Sequence, residues 1–271
     1  MNSLRLTDAP ALLKILLFLL FWLICWIPIA LPLARRLDWK FLAPVTATQK
    51  LPLVASLYAI APPLLWGTLA LEKTSLAEHG LAWGWPLFLS GAIGFFLAAL
   101  GLAIVFSIES AFGWVIWKPE NLGKALSLSL PILLLAVWVG VTEETIFRGL
   151  FLDWLEKDSG SAIAAILSSS VFALVHLLWE RRETVPQLPG LWLMGMVLVL
   201  SRAIDGGSLG LAWGLHAGWV WGLALLDSAG LMGYSDLGSP WLKGFHNNPL
   251  AGLAGLLCLF GTGLGLFFLP Q

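Results

Sequence analysis

Long apolar runs constrain this chain more than any other feature of its sequence. A helix needs about 20 apolar residues to cross the hydrocarbon core of a bilayer, and backbone groups cannot go unpaired in lipid. We therefore predict an all-α fold, a polytopic membrane helical bundle with about eight transmembrane helices. Their approximate ranges are 12–33, 52–71, 87–108, 125–142, 161–179, 188–204, 209–227 and 249–269.

The composition excludes a soluble domain. Hydrophobic residues make up 59% of the chain and charged residues only 11%, whereas a soluble domain has about 25% charged residues. Many of the 16 tryptophans lie near the ends of apolar runs, where such rings settle at the bilayer interface. A net charge of −1 gives no basis for nucleic-acid binding. The predicted environment is a lipid bilayer, and the chain is predicted to be a multi-pass integral membrane protein.

We predict one integral membrane domain over residues 1–271, because no segment is long and polar enough to form a separate soluble domain. The first apolar run, residues 15–33, is long enough to span a bilayer and is followed by Arg35 and Arg36. It is predicted to be a first transmembrane helix rather than a cleaved signal peptide. The distribution of Lys and Arg over the two sides favours an N-terminus on the outside.

The stretch "VWVGVTEETIFRGL", residues 137–150, places two carboxylates at the end of an apolar run. Residues four apart share a helix face, and Glu before Arg is the favourable order, so Glu144 and Arg148 are predicted to pair. Glu143 points about 100° away and has no partner in its own helix, which leaves it able to take a proton from water. The alternative is that the helix ends at residue 142 and both carboxylates are solvated.

Two histidines also lie within predicted spans, His176 and His216. Ionisable groups inside spans usually face the bundle interior and mark a functional site. Phe172 precedes His176 by four residues and is therefore on the same helix face. Gly214 and Gly218 flank His216 and allow a neighbouring helix or a substrate backbone to approach closely. Together with the unpaired carboxylate, the two imidazoles predict one site built from three spans.

The remaining polar groups give weaker indications of a functional site than the carboxylates and the two histidines. His79 and His246 lie in connecting segments and are predicted to be surface residues. Arg202 and Asp205 stand at the end of a span and are predicted to pair with each other at the interface. The serines 168–170 are expected to bond back to their own helix rather than to serve as a nucleophile held by a histidine.

Three short motifs in this order resemble a known family. "EETIFRG" matches an EExxxR motif, "FALVH" matches an FxxxH motif that begins at Phe172, and "HAGWV" matches an HxxxN/D motif in part. They resemble the CAAX-protease and bacteriocin-processing family of intramembrane glutamic endopeptidases, which is related to the Ras-converting CAAX endoprotease. The resemblance covers about residues 125–227, the motif-bearing core, and the rest only as membrane helices.

The resemblance implies roles for five residues. Glu143 would be the general base, and His176 would position the attacking water. His216 would donate a hydrogen bond to the oxyanion that forms on the peptide carbonyl. Glu144 and Arg148 would hold the motif together.

One position departs from the family pattern. Val220 stands four residues after His216, where the family has Asn or Asp, and its side chain can neither donate nor accept a hydrogen bond. Losing one oxyanion donor typically costs about 10²–10³ in turnover. Either Trp219, Trp221 or Asn247 substitutes, or activity is slow, or the fold has kept the scaffold without the chemistry.

The resemblance favours a metal-independent membrane endopeptidase with no cofactor. Its substrate would be a membrane-associated peptide, either a prenylated protein or a bacterial membrane peptide. As an alternative, Glu143, His176 and His216 could hold zinc with a fourth position open for water, although HExxH is missing. Cys25 and Cys258 lie in apolar runs and indicate neither a disulfide nor a thiolate metal site.

Two non-hydrolytic functions remain open at this point. A membrane scaffold or regulatory protein of the same fold could use the polar cluster to hold its helices together, and Val220 favours this alternative. A proton-coupled transporter also uses buried Glu and His, but the halves of this sequence show no matching pair of broken helices.

Overall fold

The computed structural model describes residues 9–39, 47–178 and 181–269, without the side chains of residues 47, 48, 50, 51, 181 and 247. Within these ranges the chain is almost entirely helical, which confirms the all-α prediction. Two of the basic residues in the distribution that favours an N-terminus on the outside, Arg5 and Lys40, lie outside the described residues, and so does Trp179, one of the tryptophans near the end of an apolar run.

The helices and strands follow one another in this order: α1 Ala11–Arg36, α2 Ala47–Glu72, α3 Trp85–Ala111, β1 Val115–Trp117, α4 Leu122–Glu144, a π-helix Thr145–Phe151, α5 Leu152–Ser159, α6 Ser161–Val175, α7 Arg181–Thr184, α8 Leu188–Ile204, α9 Gly210–Ala229, β2 Met232–Tyr234, α10 Pro240–Lys243 and α11 Leu253–Leu266. Short 3₁₀ turns cover Pro119–Asn121, His176–Leu178, Val185–Gln187, Phe245–Asn247 and Pro249–Ala251.

Among the described residues, six helical stretches are long and apolar enough to cross a membrane. They correspond to six of the eight predicted spans as far as these are described, and the longest runs without interruption from Pro119 to Ser159 through α4, the π-helix and α5. The other two predicted spans are helical as well but differ in character. Helix α11 has only 14 residues, and α9 carries polar residues such as His216 and lies largely inside the bundle. A helix covered by other helices needs less apolar surface than one that faces lipid.

Helix α9 is the centre of the fold and packs mainly against α3 and α4. Its seam with α3 is built from small residues. A Cβ atom added at Gly214 would lie 1.9 Å from the carbonyl oxygen of Gly91, and one added at Gly218 would lie 2.7 Å from the Cβ atom of Ala98. Small residues at such spacing let two membrane helices approach backbone to backbone. The glycines around His216 therefore serve helix packing.

A two-stranded antiparallel sheet joins the segment after α3 to the segment after α9, with Val115 opposite Tyr234. Its Tyr234 is close to Glu109, a buried carboxylate near the end of α3. Burial raises the pKa of the Tyr234 hydroxyl, and the nearby charge of Glu109 raises it further. The sheet thus fixes the ends of the α3–α9 pair to each other.

We expect Gly214→Ala to lower the unfolding temperature of the purified protein in detergent, because the added methyl group would overlap the Gly91 carbonyl. Overpacking of this kind typically costs about 1–3 kcal/mol. Gly261→Ala in α11 is the matched control, since no neighbouring group lies within 4 Å of its added Cβ atom and alanine favours a helix over glycine. Equal unfolding temperatures for the two variants would contradict the close packing of α3 on α9.

Candidate active site

The two carboxylates are the last residues of α4, and the helical chain continues past them into the π-helix. Glu143 is only 5% exposed, and Glu144 and Arg148 are fully buried. The Nη1 atom of Arg148 lies 3.0 Å from Oε1 of Glu144. The predicted pairing of Glu144 with Arg148 is confirmed, and the alternative of a helix ending at residue 142 with solvated carboxylates is wrong.

The π-helix that carries Arg148 is tethered by side chains from two other helices. Ser168 of α6 donates to the carbonyl of Phe147 at 2.8 Å, and Nη1 of Arg202 in α8 donates to the carbonyl of Arg148. The same guanidinium nitrogen is 2.7 Å from Oδ1 of Asp153. Because π-helices interrupt the regular hydrogen-bond ladder and are frequent at functional sites, these donors fix the segment in a conformation that its own backbone bonds support less well.

His216 of α9 stands between the two carboxylates. Its Nδ1 atom is 2.6 Å from Oε1 of Glu144, and its Nε2 atom is 3.6 Å from Oε2 of Glu143. Oε1 of Glu144 also accepts a hydrogen bond from Arg148, so the same carboxylate oxygen contacts both the guanidinium and the imidazole. Glu144 therefore sets the orientation of His216, and the opposite nitrogen of the ring faces Glu143.

Tyr58 of α2 belongs to the candidate site by its contacts, and it was not predicted from the sequence. Its hydroxyl donates to Oε1 of Glu143. The other oxygen, Oε2, is buried and has no hydrogen-bond partner among the described residues. Tyr58 is one of only two tyrosines in the chain, and a polar ring in a predicted span is the signal that could have drawn attention to it.

His176 follows directly after α6 and begins a 3₁₀ turn. Its Nδ1 atom is 2.7 Å from the carbonyl oxygen of Phe172, and a carbonyl can only accept, so this nitrogen carries a proton. The Phe172 ring lies between both imidazoles, with its centroid 4.7 Å from that of His176 and 5.9 Å from that of His216. The guanidinium of Arg148 stands over the same ring at 4.2 Å, which allows a cation–π contact.

A cavity of about 700 Å³ brings the predicted site residues together. Glu143, His176, His216 and Val220 all line it, and so does Tyr58. A second cavity of about 210 Å³ shares three of these residues, His176, His216 and Val220. The two chambers thus meet at the histidines.

The candidate substitutes for the missing donor at Val220 differ in what they already bond. Trp221 donates its Nε1–H to the carbonyl of Ser129 at 3.2 Å. Trp219 is 4% exposed, and its Nε1 atom has no partner among the described residues. The side chain of Asn247 lies outside the described residues.

Two predictions about polar residues near the site are wrong. His79 is 4% exposed rather than on the surface, because the segment after α2 folds against α5 and places its Nδ1 atom 2.6 Å from Oδ2 of Asp153. Arg202 bonds to Asp153 instead of Asp205, whose Oδ1 atom accepts from the hydroxyl of Ser90 at 2.8 Å. Both errors concern partners that are distant in sequence.

His246 is exposed as predicted. Of the three serines before His176, Ser170 bonds back to the carbonyl of Ile166 at 2.7 Å as expected. Ser168 instead bonds across to the π-helix, and the Ser169 hydroxyl is buried without a partner within the described part of the chain.

No group of three or more His, Cys, Asp or Glu side chains within the described residues is arranged to hold a metal ion. The Nδ1 atom of His216 is already bonded to Glu144, and the Nδ1 atom of His176 is bonded to a backbone carbonyl. Cys25 and Cys258 are both free thiols.

The geometry joins all three motifs, since EExxxR, FxxxH and the histidine of HAGWV meet around one cavity. Residues 125–222 match the family model described as Type II CAAX prenyl endopeptidase Rce1-like. This match confirms the resemblance inferred from the motifs and supports a CAAX-type intramembrane protease in general. With its membrane-spanning helices, the chain is a multi-pass integral membrane protein. No curated protein and no solved structure matches the chain.

We expect Arg202→Lys to destabilise the protein, because the guanidinium bonds the Gly207 carbonyl through Nε and both the Arg148 carbonyl and the Asp153 carboxylate through Nη1, and the single nitrogen of an ammonium cannot serve both positions. Hydrogen bonds to charged groups contribute about 1.5–3 kcal/mol, so the unfolding temperature in detergent should fall clearly. Arg182→Lys, at an exposed position, is the control and should leave it unchanged. A stable Arg202→Lys protein would show that the π-helix does not depend on this tether.

Proposed function

We propose that the chain is an intramembrane endopeptidase that hydrolyses a peptide bond of a membrane-associated substrate with water activated by Glu143. The observation that carries this proposal is the position of His216 between two carboxylates, with Nδ1 on Glu144 and Nε2 at 3.6 Å from Glu143. An acid and a base held at this separation beside a cavity are what water addition to a carbonyl requires. The family match over residues 125–222 supports the same class of enzyme.

The hydrogen bonds of Glu144 support a proton on Nδ1 of His216. Glu144 pairs with Arg148 and can only accept, so Nδ1 of His216 carries a proton. Two carboxylates and one guanidinium leave one negative charge uncompensated in the buried cluster, which a dry interior disfavours. In the proposed reaction His216 also carries a proton at Nε2, which offsets this charge and is the proton that the ring offers to the oxyanion. Glu143 is then an ionised base beside an imidazolium that can donate.

Hydrolysis proceeds in two steps. Glu143 takes a proton from the water while the water oxygen bonds to the carbonyl carbon of the scissile peptide, and the carbonyl oxygen becomes an oxyanion to which His216 donates from Nε2. The carbon–nitrogen bond then breaks, and the proton held by Glu143 passes to the departing amine.

His176 serves to orient the water in this scheme. Since its Nδ1–H is committed to the Phe172 carbonyl, the neutral ring has an acceptor at Nε2, which can bind the water hydrogen that Glu143 does not take. Tyr58 holds Glu143 in place through Oε1 and leaves Oε2 to meet the water. Glu144, Arg148 and Phe172 do not touch the substrate and position the two imidazoles.

The larger cavity favours an apolar substrate. Apart from the site residues it is lined mainly by aliphatic and aromatic side chains of α1, α2 and the turn after α6, among them Leu19, Trp22, Leu57 and Leu178. Such a chamber suits a peptide that is embedded in the bilayer or that carries a prenyl chain. We propose a membrane-associated peptide as the substrate class, with prenylated proteins and unmodified bacterial membrane peptides as its two members to be compared.

We expect Glu143→Gln to fold normally and to lose cleavage of fluorogenic peptides, offered with and without a prenylated cysteine to the protein in liposomes. Removing a general base typically costs about 10²–10⁴ in rate. Glu156→Gln, at an exposed position in α5, is the matched control and should keep full activity. A wild-type protein that cleaves neither peptide, combined with a destabilised Glu143→Gln variant, would favour the scaffold function that Val220 allows.

The same assay separates the proposal from a zinc enzyme that uses Glu143, His176 and His216. The proposed chemistry requires no metal, so activity should survive exhaustive chelation and should not rise when zinc is added back. Loss of activity on chelation and its return with zinc would replace the glutamic mechanism with a metal-dependent one.

A further inference from the structure

The oxyanion in the proposed reaction has one donor from the motif residues, Nε2 of His216, where the family pattern supplies two. Val220 occupies the position of the second donor, and its side chain has no polar atom. Val220 nevertheless lines both cavities together with His176 and His216. The position is therefore at the site but does not contribute a donor.

The three indoles of α9 divide into two kinds. Trp213 donates its Nε1–H to the carbonyl of Val137 at 2.9 Å, and Trp221 donates to the carbonyl of Ser129 at 3.2 Å. Both are thereby committed to α4. Trp219 makes no such bond, and its buried Nε1–H has no partner among the described residues.

An unpaired indole nitrogen in an apolar interior calls for an explanation, because a buried Trp usually finds an acceptor for its N–H. Trp219 precedes Val220 directly and lines the smaller cavity, the one it shares with His176 and His216. A peptide carbonyl that enters this cavity beside the ring would supply the missing acceptor.

We propose that Trp219 is the second oxyanion donor, an indole N–H in place of the side-chain amide that the family pattern has at the next position. This inference rests on the proposed function. The scissile carbonyl then lies where the two chambers meet, between Nε2 of His216 and Nε1 of Trp219, and the substrate extends into both cavities.

The first test is Trp219→Phe, which removes the N–H and keeps an aromatic ring. In liposomes with the peptide that wild type cleaves, kcat should fall by about 10²–10³ while KM changes much less, since the N–H bonds the oxyanion more strongly than the neutral carbonyl of the bound peptide. Trp221→Phe is the matched control. It loses a structural hydrogen bond and should lower the unfolding temperature while the folded enzyme keeps its kcat.

A second test does not require Trp219 to be replaced. If Trp219 already serves as donor, Val220→Asn in the wild-type background should change kcat by less than about tenfold. In the Trp219→Phe background the same substitution should restore most of the lost kcat, because its amide offers a donor at the position the family pattern uses. A purely structural role for Trp219 would give no such rescue.

The outcomes separate the two proposals. If wild type cleaves and Glu143→Gln does not, but Trp219→Phe keeps its kcat, the role of Trp219 is overturned and the proposed function stands. An increase of about 10²-fold with Val220→Asn alone would also overturn it, since the wild-type site would then lack a second donor. If wild type cleaves nothing, the proposed function fails and this inference fails with it.

Discussion

A buried ion pair between Glu144 and Arg148 is the interaction on which the rest of the site depends. Neither group has any exposed surface, and a single buried charge without its partner is far more costly than the pair. The carboxylate also accepts from Nδ1 of His216, so the pair couples α4 and the π-helix to α9. Such a pair typically adds little net stability, and we expect it to favour one arrangement of the helices around it.

That arrangement explains why the chain carries two adjacent carboxylates. One of them neutralises Arg148 and orients an imidazole, and the geometry of the helix turns the other toward the cavity. The π-helix adds to this by placing a buried arginine one turn beyond the doublet, with its carbonyls bonded by Ser168 and Arg202. The close glycine seam between α3 and α9 fixes the position of α9, the helix that carries His216.

Sequence periodicity predicted the features that depend on near neighbours. Spacing of four residues was enough for the pairing of Glu144 with Arg148, and apolar length was enough for the helices. Periodicity could not predict contacts between segments that are distant in the sequence. These contacts are the Tyr58 bond to Glu143, the burial of His79 against Asp153 and the bond of His216 to Glu144. The π-helix was missed as well, because its distinction from an α-helix lies in tertiary tethers. Helix α9 shows the same limit, since its interior position depends on packing against α3 and α4.

The proposed chemistry depends on the orientation of His216, whose ring Glu144 holds so that its other nitrogen faces Glu143. This orientation is tested most directly by ¹⁵N NMR of the protein labelled at its four histidines, with His216 assigned by substitution. We expect a proton on Nδ1 of His216 with the chemical shift of a strong hydrogen bond to a carboxylate. A His216 ring with an unprotonated Nδ1 would contradict it.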